Sequence, residues 1–211
     1  MQLNAILNGL SASKSSVLAK ARQAEAVFRQ IKEKGEVGFA WSLEYMAFHL
    51  IDHAVDGSSS QDKVFAYAYL ALLMSKDIPL FGDLFLATMN EQCVYTIPRY
   101  LERKDYKDMD AFKLALGWKK NEDEGVYLTR VAFYVGLSMA YSVTPIDNHP
   151  RPLSHCWVFL ARVCNQLPKT ATATILAAAL NYAGYDLSKA YPRQFNKLIL
   201  FLATDYMHSV P

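Results

Sequence analysis

The residues of this chain best suited to chemistry lie between His149 and Pro168, in HPRPLSHCWVFLARVCNQLP. His149, His155, Cys156 and Cys164 are the side-chain types that hold zinc, which wants four donors converging, usually from closely spaced pairs. The spacing here is poor for that. His155 and Cys156 are adjacent, so on a helix they point about 100° apart. Cys156 and Cys164 are more than two turns apart and do not share one ion easily. A thiol nucleophile is the second reading. Cys156 would sit in the first turn of a helix, where the dipole lowers a thiol pKa, with His149 or His155 as base. No orienting carboxylate and no oxyanion signature accompany the pair. The third reading is a helix start: prolines stiffen the entry, Ser154 caps, and Trp157, Leu160, Val163 and Cys164 turn inward. The spacing favours this last reading.

Other catalytic patterns are missing. GEVG at 35–38 is neither a P-loop nor a dinucleotide fingerprint, and neither HExxH nor GxSxG occurs. The uneven charge lies in residues 99–120. Arg99, Arg103, Lys104, Lys107, Lys113, Lys119 and Lys120 face Glu102, Asp105, Asp108 and Asp110, a net of +3, with Tyr95, Tyr100, Tyr106 and Trp118 interleaved. Such a segment is either a docking surface for an acidic partner or polyphosphate, or a solvated connector.

The elements that must position these residues read as helices. Val17, Leu18, Ala21, Ala24, Phe28 and Ile31 recur at three and four spacing within Ser13–Lys34, with a serine at the start and Gly35 at the end. Further helices are expected over Phe39–Val55, stopped by Asp56 and Gly57, and over Gln61–Ser75, with Ser60 as cap after a serine loop. Others follow from Pro79 to about Glu91, Ala111–Leu116, Asp123–Val143, Ser154–Leu167, Thr170 to about Gly184, and Pro192 to about Met207. No segment alternates with period two, and many helices are apolar on more than one face. The expected class is all-α, an irregular HEAT-like stack of antiparallel helices without a fixed repeat.

At 211 residues and 52% hydrophobic content the chain can bury a core without staples. A net charge of +2 is too small to imply nucleic acid by itself. Three cysteines without CxxC spacing fit a reducing compartment. The start lacks a signal-peptide pattern, and the apolar window Val64–Met74 is too short to span a membrane, so a soluble cytosolic or nucleoplasmic protein is expected.

Several stretches resemble one family. FGDLFLATMNEQCVYTIPRY (Phe81–Tyr100) is similar to the GDL-helix and C-P-Y-x-x-P passage of the nucleoporin Gle-one family. LALGWKK (Leu114–Lys120), HPRPLSHCWVFLARVCNQLPKTATATIL (His149–Leu176) and FNKLILFLATDY (Phe195–Tyr206) resemble its later motifs, in the same order. The likeness covers Gly38 to Met207, so the expected organisation is an N-terminal helical extension, 1–37, and a Gle-one-like C-terminal helical domain, 38–211. The family's long coiled-coil and basic N-terminal part is not in this sequence, and because the sequence ends soon after Met207 the resemblance leads us to expect that the family's last helical segment is missing from it.

The resemblance implies a non-enzymatic activator of a DEAD-box ATPase in mRNA export. It would act at the cytoplasmic face of the nuclear pore and in the cytoplasm, binding the RecA-like lobes and promoting RNA release. It implies a second partner, the C-terminal segment of a small FG nucleoporin, a link to translation, and no membrane or sequence-specific nucleic acid. No catalytic cofactor is implied; inositol hexakisphosphate bridges the proteins in fungal members. Here Asn90, Glu91 and Gln92 stand where members often carry His or Lys, and Val94 replaces the motif proline. A carboxylate at that place repels a polyphosphate. The expected partner or polyanion contacts are Arg99, Arg103, Lys119, Lys120 and Arg130. The alternatives are a helical-repeat adaptor that binds peptide segments in an apolar groove, and an enzyme dependent on Cys156.

Overall fold

The computed structural model describes residues 2–55 and 60–209. It is all-α, with no strand among the described residues. The chain forms two units: 1–91 with 144–150, and 92–143 with 151–211.

The first unit holds α1 (Gln2–Asn8), α2 (Lys14–Lys34), α3 (Glu36–Val55), α4 (Gln61–Asp77) and most of α5 (Pro79–Gln92). Ser13 caps α2, its Oγ accepting the Ser16 N–H at 3.2 Å, and Gly35 ends it at φ 148°. The inward stripe of α2, Val17, Ala24 and Phe28, packs against α3 and α4. Leu43, Met46, Leu50 and Ile51 of α3 and Leu70 and Leu72 of α4 are fully buried. The sequence did not announce α1, which is one short helix holding Leu3, Ile6 and Leu7 inward. Asp56, Gly57, Ser58 and Ser59, expected to stop α3 and begin a loop, lie outside the described residues. Ser60 precedes α4 without a side-chain cap bond.

The second unit holds a 3₁₀ turn (Arg103–Asp105), α6 (Met109–Ala115), α7 (Glu124–Val143), α8 (Ser154–Cys164), α9 (Thr172–Ala190) and α10 (Pro192–Phe201). A π turn (Leu202–Tyr206) and a 3₁₀ turn (Met207–Ser209) follow α10. Helix α9 is the centre, packing on α7, α8 and α10. Among the described helices α7 is long and apolar enough to cross a membrane, which the sequence reading overlooked. It is instead a core helix of this unit, with Tyr127, Val131, Val135, Leu137 and Tyr141 buried.

Several boundaries differ from expectation, among them those of α8 and α9. Ser154 is the first residue of α8 rather than its cap; Leu153 stands at the cap position without a side-chain bond. Helix α8 stops at Cys164, before Leu167. Pro168 disfavours helical backbone at Leu167, and the Tyr206 hydroxyl, shared between the Val163 and Gln166 carbonyls at 2.8 and 3.0 Å, binds the helix end from outside. Thr170 does not cap α9. Thr172 accepts the Lys169 N–H at 2.8 Å, and α9 continues through buried Gly184 to Ala190, where Pro192 begins α10.

Close packing of α7 on α9 depends on Gly136. A Cβ there would lie 2.5 Å from Tyr182 Cε2 and under 3.0 Å from two more ring atoms. Gly136→Ala is expected to destabilise the protein by about 1–3 kcal/mol through overpacking. Gly136→Ala with Tyr182→Leu should recover part of the loss in urea unfolding. An unchanged midpoint for Gly136→Ala would show that the ring moves freely.

Candidate functional site

The charged segment begins where α5 ends, and a few long-range bonds hold it against α9. Thr96 closes the first turn, its Oγ1 donating to the Cys93 carbonyl at 2.8 Å. The Tyr100 hydroxyl meets Thr172 Oγ1 at 3.1 Å, and Gln166 Nε2 donates to the Pro98 carbonyl at 3.1 Å. Asp108 caps α6, accepting the Ala111 N–H at 2.8 Å.

The turn between α6 and α7 is built around an ion pair. Arg130, on α7, donates from Nε to Glu122 Oε1 at 2.9 Å and from Nη2 to Oε2 at 2.6 Å. The same Nη2 donates to the Gly117 carbonyl at 2.7 Å. Glu122 Oε2 also accepts the Lys119 N–H at 2.9 Å. The side chains are nearly sealed, 11% exposed for Arg130 and 4% for Glu122. Gly117 is required: its φ is 87°, and a Cβ would lie 2.9 Å from the Gln92 carbonyl oxygen. Asn121 takes φ 57°, which its short polar side chain tolerates. Trp118 stacks on Tyr127 at 4.2 Å, with Lys113 Nζ 4.6 Å from the Trp118 centroid.

The five expected contact residues all lie in the second unit, and they divide into two kinds. Arg99, Arg103, Lys119 and Lys120 are exposed. Arg103 already donates to the Tyr106 carbonyl at 2.7 Å. Arg130 is different, because its guanidinium is turned inward and bound to Glu122 and Gly117. It positions the turn that carries Lys119 and Lys120. Beside that turn opens a cleft of about 290 Å³ with walls from Tyr95, Tyr100, Phe112, Trp118 and Tyr127. Glu102 and Lys169 pair across its rim at 3.2 Å. Glu122 and Lys169 escaped the sequence reading. Glu122 reaches Arg130 across a loop, so no helical i,i+4 spacing announced the pair.

Of the residues read first in the sequence, His155, Cys156 and Cys164 are part of α8. Cys156 is fully buried, and its thiol is pushed up to about 12 by burial, the reverse of an activated nucleophile. Burial also raises Cys93 and Cys164 to about 11. His155 is exposed, its Nδ1 3.3 Å from the Pro152 carbonyl. No group of three or more His, Cys, Asp or Glu able to hold a metal ion occurs among the described residues.

The hydrogen bond from Arg130, opposed by burial, holds the Glu122 carboxyl below its ordinary value of 4.5. Its contribution to stability is therefore complete above that value and is lost as pH falls through the lowered folded pKa. Glu122→Gln should flatten the acid limb of the stability curve. Arg130→Met, which leaves a buried carboxylate unpaired, should cost about 3–5 kcal/mol. Arg130→Met with Glu122→Leu should recover most of that loss in urea unfolding. Single and double variants of equal stability would contradict the clamp.

Residues 1–203 match the family described as GLE1-like protein. The mRNA export factor GLE1 of Mus musculus is 32% identical over 180 residues, covering 78% of this chain and 26% of that protein. The mRNA export factor GLE1 of Arabidopsis thaliana is 24% identical over 196 residues, 92% of this chain and 29% of the relative. The chain thus spans between a quarter and a third of the length of these curated relatives. A solved complex described as the Saccharomyces cerevisiae Dbp5 C-terminal domain, in variant form, bound to Gle1 and IP6 contains a similar fold. The TM-score is 0.86 at 20% identity, covering 96% of this chain and 72% of that chain. A helical architecture and a match over residues 1–203 agree: the chain belongs to the GLE1-like family.

Proposed function

We propose that this chain is an activator of a DEAD-box ATPase in mRNA export, working at the cytoplasmic face of the nuclear pore and in the cytoplasm, with no catalytic step of its own. The observation that carries the reading is family membership joined to the fold shared with a complex described as the Dbp5 C-terminal domain bound to Gle1 and IP6. The physics is a population shift. An activator that binds one arrangement of the two RecA-like lobes better than the other moves the motor toward it, by no more than that difference in affinity. Opening the lobes promotes RNA release.

Lys119 and Lys120 are the cations best placed for this work, because the Arg130–Glu122 clamp fixes the backbone beneath them. Inositol hexakisphosphate is the small anion they suit. Arg130 is spent on Glu122, so the ligand's charge falls to Lys119, Lys120, Arg99 and Arg103. Gln92 adds no charge and accepts the Tyr134 hydroxyl proton at 2.6 Å. The aromatic cleft favours a second reading, an adaptor that takes a peptide such as the C-terminal segment of a small FG nucleoporin. An adaptor of that kind binds its peptide and leaves ATPase turnover unchanged.

Lys119→Glu with Lys120→Glu is expected to lower stimulation of the matched DEAD-box ATPase about fivefold or more, the low end of typical regulatory coupling. Its circular dichroism and unfolding midpoint should match wild type. Full stimulation by the double variant would remove this turn from the mechanism.

A further inference from the structure

Helix α3 presents an uncovered face that the function above does not use. Its inner face is filled by Leu43, Met46, Leu50 and Ile51. Its outer arc, taken at 100° per residue, carries Val37, Trp41, Glu44, Tyr45, Phe48 and Asp52. Three of these are large apolar side chains left in water: Val37 is 87% exposed, Trp41 55% and Phe48 47%. The Trp41 and Tyr45 rings lie 5.0 Å apart, and the His49 ring, 4.2 Å from Tyr45 and 5.4 Å from Phe48, joins Phe48 to them, so the rings form one stripe instead of scattered contacts. Contiguous exposed apolar surface of this kind marks an interaction site, and aromatic residues dominate interface energetics.

The charge on this helix selects the partner. Over its twenty residues α3 carries Glu36, Glu44 and Asp52 and no lysine or arginine, in a chain whose net charge is +2. Glu44 and Asp52 are exposed on the arc itself. Phosphate backbones and anionic membranes are repelled there, and cations are attracted. Lys32 Nζ lies 5.2 Å from the Phe39 centroid, on another edge of α3, and leaves the stripe open. Arginine fits the stripe better than lysine, because a guanidinium stacks on Trp and Tyr faces while forking a carboxylate. We infer that the outer face of α3 is a docking site for an arginine-bearing protein segment, with Trp41 and Phe48 as apolar anchors and Glu44 and Asp52 as its ion partners.

The test is titration of the full chain with a labelled peptide of alternating arginine and leucine, alongside lysine-for-arginine and glutamate-for-arginine counterparts and a short RNA. Amide NMR shifts report the site. The arginine peptide should bind with shifts on α3, the lysine peptide more weakly, and the glutamate peptide and RNA should leave α3 unmoved. Trp41→Ala with Phe48→Ala should weaken arginine-peptide binding about tenfold or more, as loss of interface anchors does. Glu44→Gln with Asp52→Asn, which leaves the packing untouched, should weaken it and flatten its salt dependence. Lys119→Glu with Lys120→Glu should bind the peptide normally, which separates this surface from the turn in the second unit. Equal binding of the glutamate peptide, or full binding by the Glu44→Gln, Asp52→Asn variant, would overturn the inference. So would a dimer in sedimentation velocity that Trp41→Ala dissolves, since the stripe would then belong to a second copy.

Discussion

Arg130 and Glu122 are a partly buried pair with nearly sealed side chains, and this makes each dependent on the other. A guanidinium or carboxylate withdrawn from water alone costs several kcal/mol, so neither is stable in that place unless the partner is present. The pair also takes hold of the backbone: Arg130 binds the Gly117 carbonyl, and Glu122 binds the Lys119 N–H. The eight-residue connection between α6 and α7 is thereby tied to a helix whose other face lies in the core. Gly117 and Asn121 supply the positive φ angles that let the chain turn tightly enough to close on the arginine. Lys119 and Lys120 gain a fixed base from this arrangement, and two cations on a fixed turn give up less freedom on binding than two on a loose loop.

The groups read first as candidates for chemistry are held as parts of the fold. The thiols are pushed above their ordinary range by burial, and His155 at the start of α8 is exposed, its Nδ1 beside the Pro152 carbonyl. An activator that works by differential affinity needs shape and charge to persist while its partner changes shape. Tight helix contacts such as Gly136 against Tyr182 resist deformation, and the bonds from Tyr100, Gln166 and Tyr206 fasten irregular segments to α8 and α9. These contacts stiffen the second unit, as the proposed function requires of the surface that carries Lys119 and Lys120.

Much of the helical framework was legible in the sequence because its causes are local. Ser13 and Gly35 bound α2 through cap chemistry, Pro79 and Pro192 open helices with their fixed φ, and three-and-four spacing marks the inward faces. What escaped depends on distant contacts. Pro168 marks that α8 ends nearby, but its early stop at Cys164 is shaped by the distant Tyr206 hydroxyl, and the passage of α9 through Gly184 follows from packing. The site was half legible. A basic segment with interleaved aromatics was evident, and Arg130 was named among the expected partner or polyanion contacts, whereas its guanidinium is turned inward. Its role was invisible, because nothing in composition says that a guanidinium will turn inward to a glutamate eight residues earlier.

The central claim is that this chain regulates a motor by grip. It is tested most directly by RNA-stimulated ATP hydrolysis of the matched DEAD-box protein with and without the wild-type chain, each with and without inositol hexakisphosphate. The account predicts a faster rate when the chain is present, with or without the inositol phosphate. A rate unchanged by the chain in both conditions, despite full binding to the DEAD-box protein, would contradict it.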